Sequence, residues 1–214
     1  MLNFCLGLLF LVLGVLNLQV FSLPEPKAFV KDVFKIHTLV HSRLARRNLN
    51  ATSYEAYQIS DGTAGTAKEA AGKLLLEPYN LTLSSDLEVL PLEALKGISK
   101  DDIKAMFKIG HDGNIQEVEG FLPAIRAAKK KKDLFNKLNR GMIANKVLKL
   151  LAQVVGCAAQ IAQGDETIKL KEHLKTEQKK LAHNLKTDEE NKGKPMSSFL
   201  SVTSDSKKKK KPKE

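Results

Sequence analysis

Residues 143–161 carry the pattern that most restricts how this chain can fold. Ile143, Val147, Leu150, Val154, Cys157 and Ile161 recur at spacings of 4, 3, 4, 3 and 4. That is the period of one face of an α-helix. Leu148, Leu151, Val155, Ala158 and Ala162 line an adjacent face. A helix apolar on two faces needs neighbours on both. Gly164 suits the left-handed stop of such a helix, and Asp165 stands where it can cap the next one. The next helix carries Ile168, Leu170, Leu174, Leu181 and Leu185 on one side. Glu172, Lys175, Glu177, Lys179 and Lys180 read as its solvated face. So short a connection makes the pair an antiparallel hairpin. The expected fold is all-α: a small helical bundle with a central apolar helix, an antiparallel helical hairpin at its C-terminal end and a disordered basic tail.

Other helices are expected upstream. Ser60-Asp61-Gly62 precedes an Ala-rich run from Thr63 to Leu76, and Ser60 or Asp61 is placed to cap it. Glu77-Pro78-Tyr79-Asn80 ends that run. Leu83, Leu87, Val89, Leu90, Leu92 and Leu95 suggest a long apolar loop or a short helix laid over a core. Ser99-Lys100-Asp101-Asp102 resembles a capping box with Asp in place of Glu. The helix it opens should stop near Gly110-His111-Asp112-Gly113, because Asp112-Gly113-Asn114 is turn chemistry. A further helix is expected from Ile115 to Lys132, with Pro123 in its first turns or kinking it. The pattern dissolves after about Asp188, and Met196 to Val202 either packs on the body or dangles.

The N-terminus reads as a targeting segment. Residues 1–22 hold no charged side chain and run apolar from Phe4 to Phe21. Val20 and Ser22 are small enough for the −3 and −1 sites of signal peptidase, and a Pro-containing polar stretch follows. The Lys/Arg n-region is missing, and the stretch is also about long enough to anchor in a membrane. A second cut is expected after Arg46-Arg47, since kexin-type proteases of the secretory pathway select paired guanidinium groups. Residues 23–47 would then be a propeptide. Alternatively Phe29, Val30, Val33, Phe34, Ile36, Val40 and Leu44 form an amphipathic first helix of the domain. The expected division is 1–22 signal peptide, 23–47 propeptide, 48–190 helical domain and 191–214 flexible Lys-rich tail. Sequons at Asn50-Ala51-Thr52 and Asn80-Leu81-Thr82 agree with secretion. Cys5 leaves with the leader, so Cys157 has no disulfide partner within the chain. It reads as a buried small hydrophobe.

Two groups of residues carry a resemblance. Tyr57-Gln58-Ile59-Ser60-Asp61-Gly62-Thr63-Ala64-Gly65-Thr66-Ala67 resembles the mature start of a group of small secreted proteins of filamentous ascomycete fungi. The later blocks Asn145-Lys146-Val147-Leu148-Lys149-Leu150, Gln160 to Gly164 and Glu177 to Leu181 with Asn184 are similar to that family too. The resemblance covers roughly Tyr54 to Thr187. It implies secretion and a helical fold, and no activity. The Lys129–Lys132 run and the lysine-rich end depart from it.

No reaction is legible. His111, His173 and His183 lack the i, i+4 partner of a helical zinc site. No Gly-x-Ser-x-Gly elbow and no phosphate-binding loop occurs. Absent Trp and 6% aromatics argue against a stacking platform for sugars or bases. The expectation is a non-enzymatic protein with no cofactor and no metal. Lys207, Lys208, Lys209, Lys210, Lys211 and Lys213 read as a solubilising tail, a nuclear-localisation-like peptide or an electrostatic clamp for an anionic surface, nucleic acid or acidic glycan. Lys129–Lys132 adds to the clamp or closes a helix at its negative pole. A host protein, a cell-wall glycan and an anionic surface are the candidate partners. Of the net charge of +11, residues 1–47 hold +4 and residues 204–214 another +4. The body between them is nearly balanced.

Overall fold

The structure is a computed structural model that describes residues 53–202. The leader with Ser22, the 23–47 segment with Arg46 and Arg47, the sequon at Asn50 and the lysines from Lys207 to Lys213 lie outside the described residues.

The chain forms α1 (Tyr54–Tyr57), β1 (Gly62–Thr63), α2 (Ala67–Leu75) and a 3-10 turn at Glu77–Tyr79. Then come β2 (Thr82–Leu83), β3 (Val89–Leu90), α3 (Leu92–Lys96) and α4 (Lys100–Ile115). A π-helical stretch (Gln116–Phe121) joins α4 to α5 (Leu122–Ala127). The long α6 (Lys132–Ala162), α7 (Ile168–Glu190) and β4 (Pro195–Met196) complete it. The fold is thus a helical bundle with two minimal antiparallel ladders. One pairs β2 with β3; the other pairs β1 with β4, Gly62 opposite Met196.

α6 is the central helix that the periodicity requires. Val147, Leu148, Leu151, Val154, Val155 and Cys157 are all buried, enclosed mainly by α4, α7 and α2. α6 is long and apolar enough to cross a membrane, but 67% of its most apolar window is buried inside the bundle. It begins at Lys132, a turn and more before the apolar run reveals it. Gly164 takes φ +102 and ends it as expected. Thr167, not Asp165, caps α7, its hydroxyl accepting from the Leu170 amide. Ser99 caps α4 as the capping box implies, accepting from the Asp102 amide at 3.0 Å.

Further expectations need correction. α4 does not stop at Gly110-His111-Asp112-Gly113 but runs through to Ile115. These glycines are contact points against α6. A Cβ on Gly113 would stand 2.7 Å from Lys149 Cβ, and one on Gly110 would meet the Gln153 amide. The expected Ile115–Lys132 helix is a π-helical stretch followed by α5, which ends at Ala127. Glu177 does not lie on a solvated face. It is 6% exposed, on a side of α7 that also buries Asn184 and Asp188, whereas Ile168 is 75% exposed. Finally, residues 191–202 belong to the folded body. β4 pairs with β1, Met196 and Ser198 are buried, and residues 199–202 are helical.

Candidate functional site

The Tyr57–Ala67 block forms a clasp between the two ends of the described chain. α2 starts at Ala67 rather than Thr63, and its N-terminal amides are capped from a distance. The buried carboxylate of Asp188 accepts from Gly65 N at 2.9 Å and from Ala67 N at 3.0 Å. A carboxylate there satisfies orphan donors and faces the positive pole of the helix. Gly65 has φ +88 and packs on Lys192, whose Cα would lie 2.9 Å from an added Cβ, so both conformation and space call for glycine. Asp61 accepts from the Ser198 amide and the Ser201 hydroxyl, both at 2.8 Å. Beneath it Gly141 of α6 lets the backbone carbonyls of Ser197 and Ser60 approach. Tyr54 donates to Asn145 Oδ1 at 2.9 Å, and Asn145 donates to the Gly113 carbonyl at 2.8 Å. Tyr57 donates to Asp112 at 2.6 Å. The residues that carry the resemblance therefore hold the fold together.

Concavities lie elsewhere. A groove of about 630 Å³ opens between the β3–α3 segment and the α6–α7 hairpin. Val89, Leu95, Val154, Ala158, Ile161 and Leu174 make an apolar floor, with Lys96, Lys171, Lys175, Glu88 and Glu166 at its edges. Lys171 is paired with Glu166 at 2.8 Å. This size and lining are those of a cleft for a small ligand or a peptide side chain. The alternating leucines at 83–95 hinted at its wall; the hairpin that shapes it was not legible.

A smaller polar hollow of about 310 Å³ holds His111, Lys149, His173, Glu177 and Lys180. Glu177 is paired with Lys180 at 2.8 Å, and His173 Nδ1 lies 3.9 Å from it. Next to it, Glu117 bridges Lys149 and Lys146. Burial opposes its charge, but hydrogen bonds from Lys149 and Lys146 outweigh that and hold its carboxyl below the usual range. Cys157 is buried, and burial, with the charge of Glu177, pushes its thiol up to about 11. Among the described residues no three His, Cys, Asp or Glu side chains are grouped to hold a metal ion.

Of the sites expected from sequence, Asn80 is exposed on the turn after Glu77–Tyr79, with φ +54. Lys129–Lys132 is exposed at the turn between α5 and α6. The family described as a domain of unknown function, DUF8454, matches residues 49–200. The chain belongs to this family. The DUF8454 span opens just past Arg47 and takes in both ends of the clasp. No curated protein and no solved structure matches the chain.

Proposed function

We propose that this DUF8454 protein is a secreted, processed, non-enzymatic interaction protein, akin to the small secreted proteins of filamentous fungi and directed at a host. One observation carries the reading. The family span begins at residue 49, just after Arg46-Arg47. An apolar leader and a dibasic segment thus precede a domain that closes on itself. The exposed left-handed turn at Asn80 suits glycan transfer during export. The one cysteine of the domain is buried with its thiol pushed up, which suits a structural residue rather than a nucleophile. The clefts offer binding surface, and the clasp residues are engaged in structure.

Mass spectrometry of the medium from an expressing fungal culture tests this. The expected species starts at Asn48 and loses mass at Asn80 on treatment with an endoglycosidase. Recovery solely from cell membranes with residues 1–22 intact would refute it. A second reading, a wall component held by charge and glycan contacts, draws on the exposed Lys129–Lys132 run. It requires that salt elute the protein from isolated walls, and a pool wholly free in the medium would exclude it.

A further inference from the structure

The fold gathers positive charge at one end. Lys129, Lys130, Lys131 and Lys132 are all exposed, and Arg126 sits one turn before them. None of the five makes a carboxylate ion pair among the described residues, whereas ten of the other seventeen described lysines do. The acid next to the run in sequence, Asp133, is already paired with Lys137 at 2.7 Å. The turn is fixed rather than loose. Ala128 is 3% exposed and packs with Phe121, Ile125 and Leu138 in a second core cluster. Lys131 and Lys132 stand at the N-terminus of a 31-residue helix. There they meet the positive pole, an arrangement that costs stability. Arg126, Lys129 and Lys130 stand at the C-terminal, negative pole of α5, which suits them, so the run answers one helix end and strains the other.

Two exposed apolar residues stand near this turn. Val118 is 54% exposed and Leu122 38%, on successive turns of the helical run that leads to Arg126 and Lys129.

We propose that this surface, Val118 and Leu122 with Arg126 and Lys129–Lys132, docks on an anionic lipid bilayer. The inference rests on the reading of the chain as a binding protein and names its partner class. Clustered cations draw a protein to acidic headgroups. The exposed valine and leucine favour lipid over a bare polyanion, because they gain from entering the headgroup boundary and nothing from nucleic acid phosphates.

Sedimentation with phosphatidylcholine vesicles, with and without about 30% phosphatidylserine, tests it. Any leader retained on the chain is common to every variant, so the differences between variants decide. Binding should need phosphatidylserine and weaken with salt. K129Q/K130Q/K131Q/K132Q should lower the partition coefficient by up to about 1,000-fold, about 1 kcal/mol for each lysine. V118S/L122S should lower it by about fivefold. Thermal melts of each variant check folding. No loss in the lysine variant, or a loss as large on neutral vesicles as on acidic ones, would overturn the proposal. So would binding to a duplex oligonucleotide, indifferent to V118S/L122S, without binding to vesicles. Secretion of a chain that ignores vesicles would sink the docking surface and leave the processing reading standing.

Discussion

At the scale of single residues, burial sets the chemistry of Cys157 and Tyr54. Cys157 lies on the central helix, and burial with the charge of Glu177 pushes its thiol from 9.0 up to about 11. Burial pushes the Tyr54 phenol from 10.0 up to about 12. Both groups are neutral when protonated, so the folded state favours the proton more than the unfolded chain does. Their contribution to stability is full below about pH 9 and is lost as pH rises through 9 to 12. The urea midpoint should therefore fall between pH 8.5 and pH 11, and Cys157 should resist a thiol reagent at pH 8 until urea is added. A flat midpoint, or prompt labelling of the folded chain, would show that neither group is held as described. The sequence made the burial of Cys157 legible, because its position in the 4, 3, 4 series places it on the inner face. The inward turn of Glu177 was hidden, because a charged residue among lysines is read as solvated unless the partner helix is known.

At the scale of elements, glycines decide where helices touch. The bundle was legible from periodicity, and the cap at Ser99 from local chemistry. Asp112-Gly113-Asn114 was misread because turn propensity is a local quantity, while its helical state comes from packing against α6. Gly113 leaves room for Lys149 Cβ, which would be 2.7 Å from a methyl group there. Gly72 of α2 is different, since an added Cβ would find only Leu76 Cδ1 at 3.8 Å. Alanine improves helix propensity at both positions by about 1 kcal/mol. At Gly72 nothing opposes the gain, and Gly72→Ala should stabilise by about 0.5–1 kcal/mol. At Gly113 the collision lies at the base of a side chain that cannot swing clear. Gly113→Ala should destabilise by about 1–3 kcal/mol, as overpacking does. Denaturant titration of the pair checks the sign; stabilisation by both would mean that α4 and α6 are not in close contact at Gly113.

At the scale of the whole molecule, the N-terminal block and the 188–202 segment close the fold on each other. No local pattern announces this, since the ladder between β1 and β4 and the bonds from Asp61 and Asp188 join residues more than 120 positions apart. The lysines and prolines beyond Glu190 look like the start of a tail, yet Met196 is buried and Phe199 packs on Tyr54 and Phe121 at centroid distances of 6.2 and 5.1 Å. Each such side chain is worth about 1.5–3 kcal/mol when buried. A domain of this size has only about 5–15 kcal/mol in all. Ending the chain after Glu190 would remove these anchors, expose the amides of Ala64 and its neighbours, and uncover the second core cluster. Its melting temperature should drop by about 10 °C or more. Ending the chain after Thr203 removes the lysine-rich end alone and should change it by less than about 2 °C. If calorimetry finds the two truncated chains equally stable, the clasp contributes nothing to the fold. If only the shorter one is crippled, the domain runs to about residue 202 and the lysines beyond it are free to serve binding without cost to stability.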